Sequence, residues 1–194
     1  AIKNARNINL LKAKLKRVLL KSIWVLTLQI KNSSFRPVGT EVEFSKNGQY
    51  HEIVLDMGNN KKIHLKGKID RIDIADTKDG RYIRIIDYKS SNKTLEPSDI
   101  YNGLNLQLIT YLDAITDKSN NENQDLIPGG MLYFKVDDPI IEAKESLDNE
   151  EIGNLLIEKL KLNGLILNDK TLIRHMDNTI DKKSNLVNIN LDKE

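Results

Sequence analysis

From Gly67 to Lys89 the chain reads GKIDRIDIADTKDGRYIRIIDYK. Side chains alternate across a β-strand with a period of two. Tyr82 to Asp87 is predicted to be a strand whose apolar run, Ile83, Ile85 and Ile86, leads into Asp87-Tyr88-Lys89. The same period puts Asp87 and Lys89 on one face and Tyr88 on the other. Asp79-Gly80 signals a hairpin turn back to the preceding strand, which carries Asp70. There Ile63, Leu65, Gly67 and Ile69 alternate, and Ile72 and Ile74 follow one position out of phase. Such a slip implies a bulge or bend at Asp70-Arg71, a device that re-aims a side chain. With the two strands as neighbours, two carboxylates and a lysine surround one point.

Upstream, Ile8, Leu11, Leu15, Val18, Leu19, Ile23, Leu26 and Ile30 recur at the spacing of a long amphipathic helix. Lys12, Lys14, Lys16, Arg17 and Lys21 make its first half basic, either a solvated face or a phosphate contact. Asn32-Ser33-Ser34 and Pro37 end it. Thr40 to Phe44 reads as a short strand, with Val42 and Phe44 on one face and Glu41 and Glu43 on the other. Lys46-Asn47-Gly48 and Gly58-Asn59-Asn60 are turn signals on either side of a second short strand at 50–56.

Downstream, Pro97-Ser98 opens a helix with Ser98 as N-cap. Ile100, Leu104, Leu108, Tyr111 and Ile115 share one face of it. Gln107 falls on that face, four residues before Tyr111. A buried amide costs about 1–3 kcal/mol unless hydrogen-bonded, so Gln107 needs a polar partner, and a site facing the helix would supply one. Residues 118–127 read as a polar loop. Pro128-Gly129-Gly130 leads into a strand from Met131 to Val136. The last clear helix runs from about Glu150 to Leu162, with an Asp148/Glu151 capping box and Gly164 as its stop. The order predicts a mixed α/β fold, a central mixed sheet flanked by helices. Three parts are expected: a leading helix packed on the core (1–34), the core (35–146), and a C-terminal helix and tail (147–194).

The 194 residues carry 30 basic and 28 acidic side chains, a net charge of +2. That is no strong footprint for nucleic acid, so such binding must rest on local clustering. No apolar run approaches the ~18 residues of a membrane span. Zero cysteines exclude disulfides and thiolate metal sites within the chain. It starts at Ala1 directly in a helix and ends in LDKE, and reads as a piece of a longer protein. His51, His64 and His175 are scattered and read as structural.

Asp70 and Asp87 suit Mg²⁺ or Mn²⁺, which prefer carboxylate, carbonyl and water ligands. The Tyr88 carbonyl is a possible third ligand at the strand end. Such an ion activates a water and neutralises a phosphate oxygen. Lys89 can orient that water, or stabilise charge on a pentavalent phosphate. Glu41 is the best outside candidate for a further acid. Gln107 and Tyr111 would hold the substrate backbone or the lysine. The implied reaction is phosphodiester hydrolysis.

The blocks GKIDRID, RIIDYKSS, IYNGLNLQLITYLDA and PGGMLYFKVDDP, in that order and spacing, resemble the C-terminal nuclease domain of the AddB family. That domain lies in the RecB-like branch of the PD-(D/E)XK nucleases, and the resemblance covers residues 35 to about 180. It implies a restriction-endonuclease-like core and a Mg²⁺- or Mn²⁺-dependent deoxyribonuclease, within a cytoplasmic helicase–nuclease that processes double-strand breaks. It implies single-stranded DNA as substrate and an AddA-like helicase–nuclease subunit as partner. By position, the family's metal ligands fall on Asp70 and Asp87, its lysine on Lys89, and its helical glutamine and tyrosine on Gln107 and Tyr111. Its upstream glutamate falls on Glu41 or Glu43. Two departures stand out. Ile69, not proline, precedes Asp70, and the cysteines that hold an iron–sulfur cluster in full-length members are absent. A DNA-binding scaffold that keeps the nuclease fold, and a free-standing RecB-like nuclease, are the rival readings.

Overall fold

The computed structural model describes residues 2–116, 125–143 and 145–191. Helix α1 (Ile2–Lys31) leads into strand β1 (Arg36–Phe44). A small hairpin of β2 (Ile53–Asp56) and β3 (Lys62–Leu65) stands apart from the main sheet. Strands β4 (Gly67–Thr77) and β5 (Gly80–Lys89) follow, then the short α2 (Pro97–Tyr101) and α3 (Gln107–Thr116). The chain ends with β6 (Leu126–Lys135), α4 (Asn149–Lys159), β7 (Asn163–Ile166) and α5 (Lys170–Met176). The main sheet has the order β1-β4-β5-β6-β7. Within it β5 and β6 run parallel, and the other neighbours are antiparallel. This is the mixed sheet with flanking helices that the sequence implies.

The period of two sorts each strand between two apolar layers. On one face Tyr82, Ile86, Leu132 and Phe134 pack with Val25 of α1, Leu156 of α4 and Leu172 and Met176 of α5. On the other, Val42, Phe44, Ile72, Ile83 and Ile85 pack with Leu108, Tyr111 and Ile115 of α3. Asp87 and Lys89 continue the Ile83–Ile85 phase and so emerge on the α3 face. Tyr88 points the other way, its ring edge-on to Phe134 at 6.0 Å.

The phase slip at Asp70 has a structural counterpart. Ile69 and Ile72 lie in the same layer despite their odd spacing. Backbone pairing of β4 with β5 reaches only Arg71↔Ile86. On the other side, Glu41 adopts φ +55 between the pairs Thr40↔Arg71 and Val42↔Ile69. The register shift itself lies on β1, between Pro37 and Gly39, and not at Asp70-Arg71.

Several expectations need correction. The helix expected from Pro97 onward is two helices. Gly103 (φ +76) and Asn105 (φ +54) break it, because left-handed residues cannot continue an α-helix. The N-cap is Glu96, which makes no side-chain capping bond, and not Ser98. Gly164 does not stop α4; it lies in β7, where any Cβ would collide with the Met131 carbonyl oxygen. The capping box of α4 does form: Asp148 accepts from the Glu151 N–H and Glu151 from the Asp148 N–H. Strand β6 begins earlier than expected, and Gly129 is the extra residue between the pairs Ile83↔Pro128 and Arg84↔Gly130. The first part of the expected polar loop, 118–124, lies outside the described residues. Leu126 and Ile127 belong to β6.

α1 packs on the sheet mainly through its last turns, where Ser22, Val25 and Gln29 are buried. Leu11, Leu15 and Leu19 are more than half exposed. Arg17 and Lys21 pair with Asp138 at 3.0 and 2.5 Å. No helix among the described residues is long and apolar enough to cross a membrane.

Candidate active site

Strand β5 ends at the rim of the sheet, where its apolar run gives way to Asp87 and Lys89. Asp87 is almost fully buried, and its Oδ2 lies 2.5 Å from Lys89 Nζ. Asp70 reaches over from β4, and its Oδ2 accepts the Tyr88 backbone N–H at 2.8 Å. A side chain thus takes the strand amide next to the point where the β4–β5 ladder stops. Asp70 lies just past the last β4–β5 pair, Arg71↔Ile86, so its carboxylate takes the place of a ladder partner.

Gln107, the first residue of α3, closes the group. Its Oε1 accepts from Lys89 Nζ at 3.2 Å, and its Nε2 donates to Asp87 Oδ1 at 3.3 Å and to the Tyr111 hydroxyl at 2.7 Å. The polar partner expected for Gln107 is therefore present, although Gln107 is exposed and not on a buried face. Tyr111 is buried, with its ring edge-on to Phe44 at 5.5 Å. Both rings rest over Gly67: a Cβ there would lie 2.8 Å from Phe44 Cε1 and 3.1 Å from Tyr111 Cε1. The glycine three residues before Asp70 is thus a packing requirement.

Glu41 stands opposite Asp70 in the β1–β4 ladder, but its carboxylate pairs with Lys68 at 2.5 Å on the surface. Glu43 accepts from the Ser45 hydroxyl. The structure brings neither into the Asp70–Asp87–Lys89 group. Among the described residues no three His, Cys, Asp or Glu side chains stand close enough to hold a metal. His64 and His175 bond to Glu52 and Ser34, away from the group.

Burial pushes the Asp87 carboxyl above its usual value, against the pull of Lys89, and Asp70 adds to the rise. Burial lowers Lys89, but the hydrogen bond and charge of Asp87, with Tyr133 and Asp70, outweigh it and hold the ammonium above the ordinary lysine range. The asymmetry follows exposure: 26% for the Lys89 side chain against 4% for Asp87. Desolvation therefore penalises the carboxylate more than the ammonium.

The donor set fits a hard divalent cation. Asp87 Oδ2 is buried, and the Lys89 ammonium is its close partner. A buried carboxylate oxygen with a lone pair to spare, beside a second carboxylate, suits Mg²⁺ or Mn²⁺, which complete their shells with water.

Beneath the site lies a charge cluster that the sequence reading missed. Asp73 is fully buried and accepts from Arg71 through both oxygens, at 2.6 and 2.8 Å, and from Arg84 Nε at 3.0 Å. Arg84 is fully buried too, with its guanidinium 4.5 Å above the Phe35 ring. The Tyr88 hydroxyl oxygen accepts a hydrogen bond from Arg71, so the residue between Asp87 and Lys89 anchors the strand end to this cluster. The signal was present: a two-residue turn after Thr77 puts Asp73 directly across from Arg84.

Three curated relatives are each named as the B subunit of an ATP-dependent helicase/deoxyribonuclease. That of Acetivibrio thermocellus is 44% identical over 191 residues, 98% of this chain and 17% of its own length. That of Ruminiclostridium cellulolyticum is 46% identical over 186 residues, 94% and 16% respectively. That of Thermoanaerobacter pseudethanolicus is 41% identical over 193 residues, 100% and 17%. The chain spans about a sixth of the length of these relatives. A match to the family model for the PD-(D/E)XK nuclease superfamily runs through residues 1–186, sheet and flanking helices included, and the chain belongs to that superfamily.

Proposed function

We propose that this chain is the metal-dependent deoxyribonuclease domain of the B component of a helicase–deoxyribonuclease, acting on single-stranded DNA in the bacterial cytoplasm together with a helicase partner. The observation that carries the reading is the convergence of Asp70, Asp87 and Lys89 at one strand end, where Gln107 links Asp87 to Lys89 and the Tyr88 N–H holds Asp70. The names of the relatives support the substrate and the helicase context.

Asp70 and Asp87 would hold Mg²⁺ or Mn²⁺, with the Tyr88 carbonyl as a further ligand. Such an ion, when bound, supplies Lewis acidity toward a phosphate oxygen and a water of lowered pKa. The chain's own residues do the rest. Lys89 keeps its proton and presents positive charge to the phosphate as charge builds there. Gln107 fixes Lys89 and Asp87 relative to each other, and Tyr111 fixes Gln107. The buried sheet beneath gives the group a rigid base, so little reorganisation accompanies reaction.

The test is degradation of end-labelled single-stranded DNA with Mg²⁺ or Mn²⁺, comparing the wild type with Asp87→Ala. Metal-dependent loss of the strand in the wild type alone is expected. Normal cleavage by a folded Asp87→Ala would sink the assignment. DNA binding by a wild type that never cuts would turn it toward a binding module with the nuclease fold.

A further inference from the structure

Beside Lys89 the surface opens into a cavity of about 240 Å³ whose walls include Lys93, Lys135, Lys159 and Lys161. Sheet register explains the gathering. Lys89 pairs with Lys135 across the parallel strands β5 and β6. Tyr133 pairs with Asn163 across β6 and β7, and Lys161 lies two residues before Asn163. Two adjacent strands, β5 and β6, and the segment leading into β7 therefore each bring a lysine to the same end of the sheet, beside Asp87. The last turn of α4 adds Lys159, and the loop after β5 adds Lys93 and Ser91.

Like charges held side by side on a sheet are destabilising, and the acids nearby offset them only in part. Asp87, Asp137 and Glu158 pair with Lys89, Lys135 and Lys161. Lys93 and Lys159 have no ion pair with a described residue. The Lys161 side chain is almost wholly withdrawn from water, being 5% exposed, and among the described residues Glu158, shared with Lys183, is its ion-pair partner. A buried ammonium with one shared partner for its three donors is costly. A cavity that concentrates such charge next to a hydrolytic lysine is shaped for an anion supplied from outside.

We infer that this cavity is the subsite for the backbone phosphates of the nucleotide adjoining the scissile bond. The inference rests on the nuclease reading for the identity of its strand. Lys161 and Lys135 form the floor, and Lys93 and Lys159 close on the phosphate from two sides. Contacts of this kind position a strand without reading its sequence. They also leave the α3 side, with Gln107 and Tyr111, to the reacting phosphate.

The test uses the exposed pair, Lys93→Ala with Lys159→Ala, which spares the buried Lys161. Binding of fluorescently labelled oligothymidylate is followed by anisotropy in EDTA over a salt series, so that cleavage plays no part. Each lost phosphate contact on a single strand lowers the slope of log K against log salt by about 0.7, so the pair should lose about 1.4. Lys93→Arg with Lys159→Arg should restore the slope. In Mg²⁺, the alanine pair should raise KM and leave kcat close to wild type. A wild-type slope in the alanine pair, or a wild type with no salt-dependent binding, overturns the subsite whether or not the chain cuts DNA. A lost slope in a chain that never cuts keeps the subsite and overturns the nuclease.

Discussion

Asp70 Oδ2 accepts the backbone N–H of Tyr88 at 2.8 Å, so one carboxylate of the site is tied to the strand that carries the other. Asp70 therefore has two separable roles, as an acceptor within the fold and as a charge in the site. Asp70→Asn keeps an acceptor oxygen and should retain stability while losing metal-dependent cleavage. Asp70→Ala should lose cleavage too, and also about 1–3 kcal/mol of stability, because the Tyr88 N–H is left without a partner. Urea unfolding beside a nuclease assay separates the two; equal stability of both variants would show that the hydrogen bond contributes nothing.

Lys89 touches Asp87 and Gln107 but would not itself ligate a metal. Lys89→Ala should lower kcat by on the order of 100-fold or more, the scale of losing one group that stabilises developing charge. Metal affinity should change far less. A metal titration showing equal loss of both would count against a role in water or phosphate activation.

Gly67 makes room for Phe44 and Tyr111. Gly67→Ala should cost about 1–3 kcal/mol through overpacking. It should also displace Tyr111, and with it Gln107. A drop in kcat in protein that is still folded, as judged by circular dichroism, is the expected signature. Wild-type kcat would sever the link from Gly67 to the site.

Among the described residues, Asp73 is the acid bonded to both buried arginines, Arg71 and Arg84. Asp73→Asn leaves both guanidinium groups in the core without that counter-charge. A loss of about 3–5 kcal/mol is expected, the scale for breaking a buried ion pair from one side. Thermal melting would measure it, and an unchanged Tm would mean that water reaches the cluster.

Hydrogen bonds from Lys21 and Arg17 hold the Asp138 carboxyl below its usual value. A depressed folded-state pKa gives stability that is fully present above the unfolded value, and that stability is lost as pH falls through the folded value. The wild type should therefore melt above Asp138→Asn at neutral pH. The gap should close below about pH 4, where carboxylates protonate. A gap that persists in acid would assign the difference to packing.

The period of two made β4, β5 and the Asp70–Asp87–Lys89 group legible from residue types alone, because a buried sheet leaves alternation little freedom. Gln107 was legible as an amide in need of a partner. The break between α2 and α3 was hidden by apolar spacing that continues through Leu104, although Gly103 and Asn105 carried the signal for it. Glu41 shows a different limit. Pairing places it opposite Asp70, but a left-handed backbone and a neighbouring Lys68 decide where its carboxylate goes. Arg71, Asp73 and Arg84 stood in plain view among isoleucines, and needed the hairpin register to be read as one buried cluster.

Among the described residues β5 and β6 are the parallel pair of the main sheet, and this sets the order in which the candidate site can assemble. Asp70 and Asp87 lie on a hairpin closed by a two-residue turn, a local structure that forms on the microsecond scale. Lys135 can reach Lys89 only after the chain has passed through α2 and α3 and returned to lay β6 beside β5. Closing so long a loop delays the pairing until much of the chain is ordered. A newly made chain would hold its two acids together early and acquire its lysine-lined wall late, so that its grip on an anion would be the last part of the site to mature.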